Sequence, residues 1–363
     1  MQKVKMLTFH NAENYGAVLQ AYALKETLKE FGAKPEFVNY ENEKILSDYK
    51  LIRTNSLKSF FSSLWYLPRN IKRKRSFKSF SDKYLDATKK KYYSSKEIED
   101  DIESGDIFVT GSDQIWNPDL TGGLSDVYAL NFKTDKNIQR IAYGASLGNE
   151  ELLQKYALDF KTKLSSLNSI SVREQSIIKS LEEICGKSVE QVIDPTFLLS
   201  KQEWDKLISE NVTSNLPCEK YILVYTLFES DEVTRIANYL SQTTGFKIIH
   251  FRKYNIYKNE LMSLYSSGPV DFVNAFKNAA YVITNSFHGT VFSLIYEREF
   301  YSVLPKARAG RIKDLLETLG LTSRILQDEK NIDIDKNIEY IRVKDKIEKM
   351  RIKSIEYLKK GVS

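Results

Sequence analysis

The stretch Ala280-Tyr281-Val282-Ile283-Thr284-Asn285-Ser286-Phe287-His288-Gly289-Thr290 decides how this chain reads. Its first residues have the short apolar pattern of a buried strand, and an apolar helical pattern starts at its end. A strand that turns directly into a helix is the repeating joint of an open α/β sheet. Ligands bind at such joints, outside the carboxyl end of the strand and at the amino end of the next helix. One of only three histidines in 363 residues stands here.

Working outward, similar strand-like runs recur between helical patterns: Val4–Phe9, Pro35–Tyr40, Asp106–Thr110, Arg140–Ala145, Ser169–Val172, Val189–Ile193, Tyr221–Thr226, Lys247–Phe251, Tyr281–Thr284 and Phe300–Leu304. This alternation predicts an α/β fold with mostly parallel sheets and helices on both faces. The first helix shows the period best, with Ala17, Ala21, Leu24 and Leu28 on one face, Lys25, Lys29 and Glu30 on the other, and Gly32 as its stop. A chain this long exceeds the size of one growing core. Two Rossmann-like lobes are therefore expected, over residues 1–205 and 218–330, the first carrying a basic insertion at about 51–91. A polar linker separates them, and a charged helix over 335–363 is expected to cross back to the first lobe.

Composition narrows the function. Hydrophobic residues make up 42% and charged residues 28%, as in ordinary globular proteins, and no apolar run is long enough to span a bilayer. Met1-Gln2-Lys3 runs straight into the first strand pattern with no apolar signal segment, so a cytoplasmic location is expected. Cys185 and Cys218 lie far apart with no ligand cluster beside them, which argues against a metal or iron–sulfur centre; no metal and no cofactor are expected. The net charge of +6 is uneven: Leu51 to Lys91 holds twelve Lys/Arg against Asp82 and Asp86. There Phe60, Phe61, Leu64, Trp65, Tyr66 and Leu67 precede Lys72-Arg73-Lys74-Arg75. That order suits peripheral contact with an anionic membrane surface or a glycolipid, while a solvated hairpin with inward aromatics is the plainer reading. The stretch matches no nucleic-acid module, and no nucleic-acid partner is expected.

Several strand ends carry residues unlike ordinary turns, and in a parallel sheet such ends share one rim. His10 follows the first strand, and Asn14-Tyr15-Gly16 opens the first helix, where exposed amides suit a phosphate, a carboxylate or sugar hydroxyls. A cap at Asn14 with a turn at Gly16 explains the same residues equally well. Asp113, Gln114 and Trp116 offer a carboxylate, an amide and an indole for a sugar ring; a helix start with Trp116 in the core is the alternative. Arg173 follows the buried run Ser169-Ile170-Ser171-Val172, where its planar fork suits a phosphate or carboxylate, or else a salt bridge to Glu174 or Asp194. His288, in the first turn of its helix beside an anion site, suits acid–base work on a phosphorylated substrate; an imidazole closing a backbone turn is the alternative.

These motifs, in this order, closely resemble the polysaccharide pyruvyl transferase family. The resemblance rests on Leu7-Thr8-Phe9-His10-Asn11, Asn14-Tyr15-Gly16-Ala17-Val18-Leu19-Gln20, Val109-Thr110-Gly111-Ser112-Asp113-Gln114-Ile115-Trp116-Asn117, Ser171-Val172-Arg173-Glu174, Asp194-Pro195-Thr196-Phe197-Leu198-Leu199 and Thr284 to Thr290. It spans Val4 to about Leu321. It implies a fold similar to the two-lobed GT-B glycosyltransferases, phosphoenolpyruvate as donor, a sugar of a surface glycan as acceptor, and a cyclic pyruvate ketal as product. By position, Arg173 matches the family arginine that grips the donor and His288 its catalytic histidine. Some members carry a second arginine two residues before that histidine, where this chain has Ser286. Lys306, Arg308 or Arg311 would then supply the charge, and Arg311 is the choice made here.

The expected donor set is thus Arg173, Asn285, Ser286, Gly289 and Arg311, with His288 moving the proton. The expected acceptor set is His10, Asn14, Tyr15, Gly16, Asp113, Gln114 and Trp116. Two competing readings remain: a nucleotide-sugar glycosyltransferase on the same scaffold, with Glu297 or Glu299 as its ribose carboxylate, and a non-catalytic glycan-binding protein.

Overall fold

The computed structural model describes residues 2–48, 65–148, 150–305 and 309–362, with the side chains of 46–48 excepted. Phe60, Phe61, Leu64, Lys306 and Arg308 lie outside the described residues. The chain folds as two units. Met1–Lys50, Ser81–Leu199 and Glu348–Ser363 form the first, and Leu51–Phe80 with Ser200–Ile347 the second.

In the first unit the strands are β1 (Lys3–Leu7), β2 (Lys34–Tyr40), β3 (Ala87–Tyr92), β4 (Ile107–Gly111), β5 (Gln139–Ala145), β6 (Ser169–Val172) and β7 (Val189–Gln191). They pair in parallel in the order β3-β2-β1-β4-β5-β6-β7. The second unit repeats the plan with β8 (Tyr221–Tyr225), β9 (Lys247–His250), β10 (Glu260–Ser263), β11 (Tyr281–Thr284), β12 (Glu299–Val303) and β13 (Ile325–Leu326) in the order β10-β9-β8-β11-β12-β13. These pairs are parallel too. In both sheets the strand order reverses beside the unit's first strand, between β1 and β4 and between β8 and β11. Doubly wound sheets bind ligands at that switch point.

The central strands are buried on both faces, as in Ile107–Gly111 and Tyr221–Tyr225, because helices cover each side of a parallel sheet. The helix Tyr15–Glu30 forms as expected, with Asn14 accepting the Ala17 N–H at its start. Lys25, expected on the outer face, is buried instead. Its ammonium lies 2.8 Å from Asp86 and donates to the Tyr84 carbonyl, so paired oxygens offset its desolvation.

The expected boundaries shift in three places. The first unit ends at Leu199 rather than 205, because the helix Lys201–Ser209 packs Trp204 against Phe292 (ring centroids 5.1 Å) and pairs Asp205 with Lys277 at 3.1 Å, all within the second unit. The expected polar linker is fastened to that unit as well, Ser214 N–H donating to Asp271 at 2.6 Å. The basic stretch is divided rather than belonging to the first lobe. Leu51–Phe80 groups with the second unit, where Arg69 and Arg73 hold the ends of β9 and β10. The last helix runs Tyr340–Val362; from Glu348 on it belongs to the first unit, where Tyr357 Oη donates to the Ala142 carbonyl at 2.9 Å. Among the described residues no helix is long and apolar enough to cross a membrane.

Candidate active site

The first rim is built where β1, β4, β5 and β6 end. Gln20 ties its centre: the amide donates to Thr8 Oγ1 at 2.8 Å, and its oxygen accepts the Ser112 N–H at 3.2 Å. Gln20 therefore bridges the switch point, a role that sequence reasoning missed. The available signal was a glutamine on the apolar face of a buried helix. The turn after β4 needs Gly111, whose φ is +125° and where an added Cβ would stand 1.9 Å from the Tyr143 carbonyl oxygen. Asp113 follows with φ 57°, a left-handed conformation that side chains adopt at some expense and that recurs at functional sites.

Most of the expected acceptor residues are consumed by the fold. Trp116 is fully buried, its indole N–H donating to the Tyr128 carbonyl at 3.1 Å and its ring meeting Phe160 edge-on; it is a core residue and does not stack on a sugar. Gln114 is also buried, accepting from the Asn117 amide at 2.8 Å. Tyr15 and Gly16 are buried in the first turn of their helix, and Asn14 caps it, so the helix-start reading holds for these three. His10 is buried too, its ring stacked on Phe37 at 5.1 Å and Nδ1 paired with the Thr8 carbonyl at 3.1 Å. Burial pulls the pKa of His10 down to about 4, although the Thr8 bond opposes it, so the ring is neutral at physiological pH. Of the acceptor set, Asn14 and Asp113 keep solvent-accessible surface.

Arg173 emerges from β6 as expected and pairs with Asp194. Asp194 is fixed in turn: Oδ1 accepts from Thr196 N–H at 2.9 Å and Thr196 Oγ1 at 2.6 Å, while Ser112 Oγ lies 3.5 Å from Oδ2. The Asp194-Pro195-Thr196 motif is thus a capped turn that aims the arginine. Glu174 accepts from Ser146 Oγ. Burial would lower the Arg173 pKa, but attraction to Asp194, Glu174 and Asp113 outweighs it and the pKa is raised. One guanidinium among three carboxylates makes this rim formally anionic.

The second rim is built around a histidine and an arginine. Asn285 stitches its switch point, donating to the Phe228 carbonyl at 3.0 Å and accepting the Leu227 N–H at 2.9 Å, while Thr284 Oγ1 donates to the Tyr225 carbonyl at 2.6 Å. Ser286 caps the helix Phe287–Ile295 by accepting the Gly289 N–H. Gly289 is needed because a Cβ there would lie 2.1 Å from Thr284 Oγ1. His288 sits buried in the first turn, its ring edge-on to Phe287. Arg311, on the helix Gly310–Leu319, lays its guanidinium over that same Phe287 ring, 5.4 Å from the centroid. An imidazole and a guanidinium thus share one aromatic support at a helix N-terminus, a cationic setting for an anion. Among the described residues no cluster of three or more His, Cys, Asp or Glu is placed to hold a metal ion.

The model of the polysaccharide pyruvyl transferase family matches residues 14–306, a span that contains Arg173 and His288. The chain belongs to this family. As a pyruvyl transferase family member it is an enzyme, a polysaccharide-modifying transferase. No curated protein matches it. Among solved structures, MnaA of S. aureus in complex with UDP is similar with a TM-score of 0.50 at 12% identity, covering 91% of this chain and 86% of that one. UDP-GlcNAc 2-epimerase of Methanocaldococcus jannaschii is similar with a TM-score of 0.47 at 12% identity, covering 96% of this chain and 92% of that one. An uncharacterised protein of Klebsiella pneumoniae, KP1_0663, reaches 0.40 and 12%, covering 84% of each chain. At such identities the likeness concerns the fold, two parallel-sheet units of GT-B type.

The carboxylates that a nucleotide-sugar reading would require are occupied. Glu299 pairs with Arg324 at 2.9 Å and accepts the Ile338 N–H at 2.9 Å, and Glu297 lies 3.5 Å from Lys344.

Proposed function

We propose that this transferase moves the pyruvyl group of phosphoenolpyruvate onto a sugar of a surface polysaccharide or its lipid-linked precursor, closing a pyruvate ketal. The observation that carries this reading is the shared support of His288 and Arg311 on Phe287 in the second unit. Phosphoenolpyruvate brings a phosphate and a carboxylate. Arg311 and the amide end of the helix Phe287–Ile295 supply positive potential for these anionic groups.

Protonation of the donor's methylene carbon makes the neighbouring carbon electrophilic. A sugar hydroxyl attacks it, the phosphate leaves, and a second hydroxyl of the same sugar closes the ring. The net reaction joins a diol to phosphoenolpyruvate and releases inorganic phosphate. His288 handles the proton, and Asp113 with Asn14 orients the hydroxyls. No cofactor is required by this balance. The reaction is assigned to the cytoplasm, where the donor is made.

Incubation with phosphoenolpyruvate and a panel of galactose, glucose and N-acetylhexosamine glycosides tests the reading. One glycoside should gain the mass of pyruvate less water while phosphate is released in equal amount. Thermal stabilisation by a UDP- or GDP-sugar and not by phosphoenolpyruvate would overturn it.

A further inference from the structure

The helix Leu67–Tyr84 presents an unusual surface. Phe77 and Phe80 are buried beneath it, while Lys72, Lys74, Arg75, Lys78 and Lys83 are exposed against one exposed acid, Asp82. Pro68, Lys72, Arg75 and Ser79 follow the spacing of a single helical face, and Lys74 and Lys78 flank it. Just before this helix, Trp65 is 81% exposed. Its neighbour Tyr66 meets Tyr254 edge-on at 5.2 Å and carries the Lys253 ammonium 4.3 Å from its ring centroid, and Tyr254 is itself exposed. Exposed tryptophan and tyrosine beside a field of lysine and arginine suit the boundary between headgroups and acyl chains.

The helix is also firmly seated. Arg69 donates to the Lys253 carbonyl at 3.1 Å and to Ser263 Oγ at 3.0 Å, Arg73 donates to the Tyr265 carbonyl at 3.1 Å, and Tyr265 Oη donates to Asn70 at 2.9 Å. The two inner arginines therefore fix the helix while the outer cations face solvent. Ser263 ends β10, so the seat lies on the carboxyl edge of the second sheet, the edge from which the helix of His288 starts. β9 and β11 are separated only by β8, roughly 10 Å at ordinary strand spacing.

We propose that the second unit docks on an anionic phospholipid bilayer through this face, with Trp65 and Tyr254 at the interface and Lys72, Lys74, Arg75 and Lys78 against the headgroups. Where the proposed function holds, docking brings a lipid-linked acceptor to the edge that holds the donor residues. The docking itself does not depend on that reading.

Vesicle sedimentation tests it with the full chain and no substrate. The protein should pellet with phosphatidylglycerol-containing vesicles and not with phosphatidylcholine alone, and should be released as salt rises. Trp116 and Trp204 are fully buried, so a blue shift of tryptophan emission and its quenching by brominated lipid would report on Trp65. The variant K72Q/K74Q/R75Q/K78Q should lose about two to three orders of magnitude in partitioning, at roughly fivefold per cation. It should keep its melting temperature and its turnover on a soluble glycoside; the salt series on the unaltered protein gives a second readout should the variant fold poorly. Equal binding to neutral vesicles, no binding to anionic ones, binding unchanged by substitution and salt, or capture by soluble heparin with no Trp65 shift on vesicles would each overturn the proposal.

Discussion

The two rims share a topology and differ in charge. At the first, Arg173 stands among Asp113, Glu174 and Asp194, and nearly every polar side chain is spent on turns, caps and bridges across the switch point. At the second, His288 and Arg311 meet on the Phe287 ring at a helix N-terminus. One scaffold used twice has thus produced an anionic rim suited to orienting hydroxyls and a cationic one suited to holding an anionic donor. The difference also shows that an arginine at a strand end is not by itself an anion site. What surrounds it decides.

The largest expected effect falls on the second rim. Replacing His288 with Ala removes the proposed proton carrier, and turnover with phosphoenolpyruvate should fall by about 10²–10⁴-fold, the usual range for a general acid or base. Measured by phosphate release, a loss below tenfold would move the proton chemistry away from this rim and erase the contrast.

Next comes a contrast between the two arginines. Arg173→Ala strands a buried Asp194 carboxylate and should lower unfolding stability by roughly 3–5 kcal/mol in denaturant titration. Arg311→Ala should instead raise the KM for phosphoenolpyruvate, because it removes the guanidinium that lies over Phe287 beside the amide end of the helix of His288. The reverse pattern would mean that the first rim is the donor site.

How much of this was legible beforehand follows from the same contrast. The joint from Ala280 to Thr290 and the helix from Tyr15 could be read because buried parallel strands and capped apolar helices write strong periods into the sequence. Three edge strands could not. Ala87–Tyr92 is a run of lysines that reads as part of the basic stretch, since edge strands carry charge to discourage further pairing, while Glu260–Ser263 and Ile325–Leu326 are too short to show a period. The motif residues were visible, but their duties were not. Whether Trp116 faces a sugar or a core, or Arg173 a phosphate or Asp194, depends on neighbours distant in the chain.

The third test concerns His10 in the first unit. Its folded pKa of about 4 lies below the unfolded value near 6.5, so the unfolded chain binds the extra proton between these limits. Stability should therefore be level above pH 6.5 and decline as pH falls towards 4, by an amount on the order of 3 kcal/mol. In His10→Gln that slope should flatten. Chemical denaturation across the pH series checks both, and an unchanged slope would remove His10 from the buried network of the first rim.

The smallest effect discriminates most finely within the acceptor set. Asp113 keeps accessible surface and a left-handed backbone, whereas Trp116 has neither an open face nor a spare donor. Asp113→Asn preserves shape but weakens a charged hydrogen bond to a hydroxyl, so the acceptor KM should rise up to about tenfold while the KM for phosphoenolpyruvate holds. Trp116→Phe should do the opposite, leaving both constants in place and lowering the melting temperature through the lost indole bond to Tyr128. If Trp116→Phe moved the acceptor KM and Asp113→Asn did not, the sugar would have to reach a side chain enclosed by Phe160 and the Tyr128 carbonyl, which demands an opening of the core beneath the first rim.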